Sequence, residues 1–420
     1  MGPSVLSRPF PRVDGHLVCG AVPLEDLAAE FGTPLYVYDL EWIRSRVEAF
    51  RASFRGADPL LAYSVKANGN LTLLRELRAL GCGADVTSGG ELYRAVSAGI
   101  DGSKIVFAGV GKSEEEIAFA LEQRILFFNV ESRSELERID RVASAKGVTA
   151  RFGIRVNPNV LATTPHEYTA TGHSETKFGV PWDETRALYR WAVGRDSLDP
   201  VAIDVHIGSQ IVDVEPYVKA LDRVLGVATE LRSEGIPLQY LDIGGGFGIS
   251  YGPEAELDLH ALADRIVPRV VESGLELVLE PGRAVVGEAG ALLTRVQYVK
   301  AGGPKTFVIV DGGMSELIRP SHYGGYHEIE AAGVIAGREL TTVDVVGPIC
   351  ETGDFLALDR PLPQPSEGEL LAVRTSGAYG FSMASNYNGR RRPAEVLVDG
   401  SEVQLVRRRE TYEDLIRGEA

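Results

Sequence analysis

The chain has 420 residues, 44% of them hydrophobic and 24% charged, with a formal net charge of −16. That is the composition of an ordinary globular protein long enough for two buried cores, and the negative charge argues against nucleic acid or an anionic membrane surface as partner. No apolar run approaches the roughly 18 residues of a membrane span, and residues 1–10 lack the basic start and apolar stretch of a secretion signal, so a cytoplasmic location is expected. The three cysteines, Cys19, Cys82 and Cys350, are far apart and form no Cys-x-x-Cys pair. Neither a disulfide framework nor a metal site is expected from them.

Residues 1–34 carry no strand of a repeating unit and are expected to pack on the second domain. From 35 to 285, short β-rich runs alternate with helical patterns. The runs are 35–38, 60–65, 84–87, 105–108, 126–130, 150–156, 201–207, 240–243 and 275–280. Between them, segments such as 71–80 and 114–122 place apolar residues at i, i+3 and i+4. About eight β–α repeats over some 250 residues predict a (β/α)8 barrel of the TIM type, with a doubly wound open sheet as the competing arrangement. From 286 to 420 the pattern changes. Runs at 292–300, 306–310, 341–346, 369–374, 394–398 and 402–406 follow one another without helices, separated by Gly- and Pro-rich turns, which predicts a C-terminal all-β barrel or sandwich domain. The stretch 361–368 reads as the most loop-like.

Chemistry in such a barrel collects at the C-terminal ends of the strands, and the unusual short sequences fall there. Leu61-Ala62-Tyr63-Ser64-Val65 runs into Lys66, 201–205 into His206-Ile207-Gly208-Ser209-Gln210, 240–243 into Gly244-Gly245-Gly246-Phe247-Gly248, and 275–279 into Glu280-Pro281-Gly282-Arg283. A lysine at the end of an apolar strand is costly to bury as an ammonium. It either snorkels out at the rim or condenses with an aldehyde and becomes the anchor of a cofactor. The glycine run offers backbone N–H groups to an anion, although glycines also make tight turns. Glu280 reads either as a surface carboxylate or as the partner of a protonated pyridine nitrogen, and His206 alone reads as structural.

Taken in order, these sequences resemble the diaminopimelate decarboxylases, pyridoxal-phosphate (PLP) enzymes of the alanine-racemase-like fold. The resemblance is carried by Tyr63-Ser64-Val65-Lys66-Ala67-Asn68, Gly83-Ala84-Asp85-Val86-Thr87-Ser88-Gly89-Gly90-Glu91-Leu92 and Lys177-Phe178-Gly179. It continues through the three strand-end motifs after Lys66 and through Leu317-Ile318-Arg319-Pro320, Gly347-Pro348-Ile349-Cys350-Glu351-Thr352-Gly353-Asp354 and Gly377-Ala378-Tyr379-Gly380. It implies that Lys66 carries PLP with Asp85 nearby, that His206 stacks on the ring face, and that Glu280 meets the ring nitrogen. Ser209, Gly245, Gly246, Gly282, Arg283 and Tyr379 would surround the phosphate. Cys350 would return a proton to carbon after CO2 leaves. Thr352 stands where serine is common, Ser64 where alanine is common, and Asp204 at a variable position; none removes a required functional group.

The far end of diaminopimelate is itself an amino acid, so its pocket must satisfy a carboxylate and an ammonium. Arg283, Arg319 and Tyr323 resemble the family's carboxylate clamp, for which the planar fork of arginine is suited, and Glu351 would meet the ammonium. The resemblance also implies a homodimer in which Cys350 and Glu351 serve the partner's site, as well as a small amino-acid substrate converted from meso-2,6-diaminopimelate to L-lysine. The nearest alternatives are same-fold decarboxylases acting on ornithine, lysine, carboxynorspermidine or a carrier-linked amino acid. An alanine racemase gives no reason for the Cys350-Glu351 segment. A PLP-binding partner without catalysis gives no reason for both Lys66 and Cys350.

Overall fold

A computed structural model describes residues 8–160, 166, 176–252, 255–335 and 337–419. The opening residues 1–7, where no secretion signal is expected, lie outside them. By contact density the described residues of Val47–Ile249 and Ala255–Ala284 form one compact unit, and those of Met1–Arg46, Ser250–Glu254 and Val285–Ala420 form the other.

The first unit is a closed barrel of eight parallel strands. In chain order they are Leu60–Ser64, Gly83–Val86, Ile105–Phe107, Phe127–Val130, Ala150–Arg155, Leu198–Asp204, Tyr240–Asp242 and Glu276–Leu279, the last pairing back onto the first. Ala62, Val106, Phe127, Val201, Ala202 and Val278 pack into one buried cluster, and the strands read as continuous apolar runs because helices cover their outer side. Helix starts follow local chemistry: Ser88, Ser132 and Asp258 cap the helices Gly89–Ser97, Arg133–Lys146 and Leu259–Ser273, and Ser113 with Glu116 makes a reciprocal capping box. Closure of the sheet decides against the doubly wound alternative.

The run expected to open the barrel lies elsewhere. Leu35–Asp39 pairs antiparallel with Gly290–Lys300 and parallel with Ala394–Asp399, both in the second unit. All five of its residues are buried, so its pattern is that of any strand covered on both faces, and periodicity carries no information about which sheet it joins.

The second unit is mostly β. Its sheet runs, edge to edge, Phe355–Pro363, Leu340–Val346, Phe307–Val310, Gly290–Lys300, Leu35–Asp39, Ala394–Asp399 and Glu402–Arg407, with Leu370–Val373 paired to Gly290–Lys300 and Ile329–Ala331 to Leu370–Val373. Residues 361–363, expected in a loop, end the strand Phe355–Pro363; its prolines lie on a sheet-edge strand, where a missing N–H is tolerated. A three-strand meander, Arg12–Val13, His16–Cys19 and Val22–Pro23, precedes the helix Leu24–Phe31. Phe10, Leu17, Cys19, Leu24 and Leu27 bury themselves against Leu35, Leu293, Leu370 and Val396 in a single core. Cys19 and Cys82 are buried, whereas Cys350 is exposed. Among the described residues no helix is long and apolar enough to cross a membrane.

Candidate active site

In the barrel, the strand Leu60–Ser64 ends in a single 3-10 turn, Val65–Ala67, which carries Lys66 just past the strand's C-terminal end. Its Nζ donates to Oδ2 of Asp85 at 2.7 Å, and the Ser64 hydroxyl donates to the same oxygen at 2.7 Å. Asp85 is fully buried, so the pair with Lys66 offsets the cost of a carboxylate held away from water. Its other oxygen, Oδ1, is buried and meets no hydrogen-bond partner among the described residues, which leaves it able to accept a further donor.

Glu280 follows the strand Glu276–Leu279 and is buried. Asn129 Nδ2 lies 3.0 Å from Asp242 Oδ2 and 3.5 Å from Glu280 Oε1, joining the two carboxyls, which also bond each other. Burial first, then the neighbouring Asp242 and Asp85, push Glu280 well above the ordinary carboxylate range. Asp242 is pushed upward by burial and by Asp204, and Asp204 by burial and by Glu280. Like charges this close disfavour joint ionisation, so burial and mutual repulsion both favour the protonated carboxyls. Two cations act against that trend: Arg155, which pairs with Glu131 at 3.2 Å, lowers Asp204, and Lys66 lowers Glu280. A cation brought to Glu280 would ionise it, which is the requirement for holding a protonated ring nitrogen.

His206 accepts the N–H of Gly245 at Nδ1, 3.1 Å away, so the neutral ring carries its proton on Nε2. Burial, and then the cations Arg155 and Lys66, push its pKa well below the usual value. A Cβ on Gly244, whose φ is +69°, would lie 2.4 Å from that nitrogen, so a side chain there would displace the ring. Three glycine N–H groups of the run are spent internally: Gly244 donates to Asp242 Oδ1 at 2.9 Å, Gly245 to His206, and Gly248 to the Ile211 carbonyl oxygen. The N–H of Gly246 meets no acceptor among the described residues. A Cβ on Gly246 would sit 2.2 Å from the Gly208 carbonyl oxygen, so the cradle closes only around glycine. Arg283 Nη2 donates to the Ser209 hydroxyl at 3.1 Å. A Cβ on Gly282 would come within 3.0 Å of the side chains of Ser64 and Ala67, showing how tightly this strand end packs on the lysine turn. An aldehyde for Lys66, a ring nitrogen for Glu280 and an anion for the Gly246 and Ser209 corner describe PLP, and the residues present fit it.

The β unit carries the other expected residues. Arg319 opens the short helix Arg319–Tyr323 and is buried. Its Nη1 lies 2.6 Å from Nε2 of His327, and its guanidinium sits over the Tyr251 ring at 4.3 Å. Tyr323 closes that helix with its ring 4.4 Å from that of His322. The loop carrying Cys350 and Glu351 is folded around the buried Asp354, whose carboxylate accepts the N–H groups of Ile349 and Met314, each at 2.6 Å. Cys350 donates its backbone N–H to Asn388 Oδ1 at 3.0 Å, and the Tyr387 hydroxyl donates to Glu351 Oε2 at 3.1 Å. Tyr379 takes a left-handed backbone, φ +55°, after Gly377, where a Cβ would collide with the Val286 carbonyl. Lys66, Asp85, His206, Ser209, Gly245, Gly246, Glu280, Gly282 and Arg283 thus fall in one unit, and Arg319, Tyr323, Cys350, Glu351 and Tyr379 in the other. Sequence reasoning missed Asp242, Asn129, His327, Tyr387 and Asn388. Asp242 was open to notice, as the acid directly before Ile243 and the glycine run.

A lysine-bearing parallel barrel with a buried proton-holding carboxyl, joined to a mostly β unit, defines a pyridoxal-dependent decarboxylase. The profile of that family's N-terminal region, "Pyridoxal-dependent decarboxylase, pyridoxal binding domain", matches residues 40–287. The chain is 49% identical over 405 residues to the diaminopimelate decarboxylase of Neisseria meningitidis serogroup A, covering 96% of this chain and 98% of that protein. The crystal structure of the Helicobacter pylori enzyme complexed with L-lysine is similar with a TM-score of 0.90 at 42% identity, over 94% of this chain and 98% of that one. That of the M. jannaschii enzyme in co-complex with L-lysine is similar at 0.92 and 37%, over 98% of each chain. The chain belongs to the diaminopimelate decarboxylase family.

Proposed function

We propose that the protein uses PLP to decarboxylate meso-2,6-diaminopimelate, giving L-lysine and CO2. The observation that carries the reading is the barrel-end pairing of Lys66 with Asp85, set in a cluster whose burial keeps Glu280 ready to ionise against a cation. Bound PLP supplies an electron sink for the electron pair left when the bond to the departing carboxylate breaks. Lys66 would anchor the cofactor through its Nζ, beside the Asp85 carboxylate that pairs with it at 2.7 Å. Glu280 holds the ring nitrogen in its protonated form. His206, neutral and tethered by Gly245, offers a flat face for the ring. Gly245, Gly246, Ser209, Gly282, Arg283 and Tyr379 hold the phosphate.

The Cys350 thiol returns a proton to the carbon that has lost CO2, and Glu351 meets the distal ammonium. Arg283, Arg319 and Tyr323 bind the distal carboxylate. The working unit is a homodimer in the cytoplasm, with Cys350 and Glu351 of each chain serving the partner's site. The exposure of both residues on the single chain supports this arrangement, and an isologous pair is the commonest oligomer.

The test is to offer the purified PLP-loaded protein meso-diaminopimelate, the LL isomer, L-lysine and L-ornithine, following CO2 and the amino-acid product. CO2 released from the meso isomer with L-lysine formed is the expected result. Release from another substrate alone would keep the PLP chemistry and overturn the clamp.

A further inference from the structure

Arg319 sits in a frame built by residues that nothing above gives a role in recognition. Arginine is a donor at every nitrogen and keeps its proton at any working pH. The 2.6 Å contact between its Nη1 and His327 Nε2 therefore fixes that imidazole nitrogen as an acceptor. The other ring nitrogen, Nδ1, lies 2.8 Å from the carbonyl oxygen of Arg374 and must be the N–H. His327 is completely buried and held as one neutral tautomer between a carbonyl and a guanidinium. Tyr251 completes the frame: its ring lies under the Arg319 guanidinium at 4.3 Å and meets the His327 ring edge-on at 5.3 Å.

The choice of an imidazole matters for charge. A carboxylate at that position would aim the guanidinium but also neutralise it, and would compete with any anionic ligand. A neutral imidazole aims it and leaves that contact without a counter-charge. Stacking on Tyr251 fixes the plane of the fork.

We propose that His327 is a positioning residue for substrate recognition. It acts through Arg319 by holding the guanidinium in the orientation that receives the distal carboxylate. The proposal rests on the reading of Arg319 as a clamp for that carboxylate.

The reaction itself provides the probe. L-Lysine, the product, keeps the distal carboxylate, whereas cadaverine is the same diamine without it. Inhibition of the holoenzyme by each isolates the carboxylate. The variants are His327→Asn, whose amide can still reach the Arg374 carbonyl but not Arg319; His327→Gln, which extends to the position of Nε2; and Arg319→Ala. His327→Asn is expected to raise KM for meso-diaminopimelate and the inhibition constant of L-lysine together, by about tenfold. It should leave the cadaverine constant within twofold and kcat within threefold. His327→Gln should restore most of the lysine affinity. Equal weakening of lysine and cadaverine in His327→Asn, or no weakening of lysine, would overturn the proposal. If His327→Asn does not fold, Tyr251→Leu takes its place with the same lysine-selective loss expected, and equal loss of both inhibitors there also overturns it. An Arg319→Ala variant with an unchanged lysine-to-cadaverine ratio would instead remove the clamp, and the proposal with it.

Discussion

The barrel's carboxyl cluster and the Cys350 loop of the β unit carry their functional groups in opposite ways. In the barrel, Asp85, Asp204, Asp242 and Glu280 are all buried; Lys66 and Ser64 bond Asp85, and Asn129 bonds Asp242 and Glu280. In the β unit, Cys350 and Glu351 are exposed; the Cys350 N–H donates to Asn388 Oδ1, and the Tyr387 hydroxyl donates to the Glu351 carboxylate. Burial shifts pKa values and makes electrostatics strong, which suits groups that must control a cofactor's protonation. Exposure leaves a thiol and a carboxylate open to a ligand or a partner chain. Loss of a barrel group should therefore disturb cofactor and fold together, whereas loss of a loop group should disturb turnover alone.

The largest expected effect is that of Lys66→Ala. It removes the anchor, so decarboxylation should fall by more than about a thousandfold and the visible absorbance of the PLP-loaded protein should be lost. Retention of that absorbance would place the anchor elsewhere. Cys350→Ala should slow turnover by about a hundredfold or more, in the range of a lost general acid, while PLP absorbance and thermal stability stay as in the wild type. A drop in melting temperature as large as that of a barrel variant would blur the contrast between the units.

Asp242→Asn comes next. It removes the carboxyl that shares a proton with Glu280, so PLP should bind about tenfold more weakly with the loop residues undisturbed, as equilibrium binding would show. The smallest effect is one of pH on the cofactor-free protein. The folded-state pKa of Glu280 is raised above its unfolded value of about 4.3. The folded state then binds the extra proton, and stability falls as pH rises from about 4.3 toward the raised folded value. Glu280→Gln cannot lose that proton, so its melting temperature should decline less than that of the wild type between pH 5 and pH 8. An equal decline would show that the cluster's titration lies on other residues.

How legible the molecule is from sequence follows the same division. The barrel strands from 60 onward and the strand-end motifs at Lys66, His206, Gly244 and Glu280 are readable because each is local: an apolar run followed by a chemically unusual turn. The strand Leu35–Asp39 is not placed by its pattern, since a fully buried run carries no mark of its partner. The charge network is also non-local. Asn129 meets Asp242 across 113 residues of sequence, and only barrel closure brings them together. His327 is hidden for a further reason. A histidine eight residues after Arg319 lies outside that short helix, so no periodicity links the two. The loop at Cys350 is readable as a motif, but its supports, Tyr387 and Asn388, arrive from a distant segment with no signature of their own.

The measurement that bears most directly on this division of labour is turnover of meso-diaminopimelate in D2O, with the product examined by NMR. Wild-type protein is expected to give L-lysine carrying one deuterium on the ε-carbon in a single stereochemical position, because one held thiol delivers the proton that replaces CO2. In the Cys350→Ala variant, the single deuterium of the residual product should be divided between the two positions of that carbon. Wild-type product with deuterium divided equally between the two positions, or no lysine at all, would contradict the account.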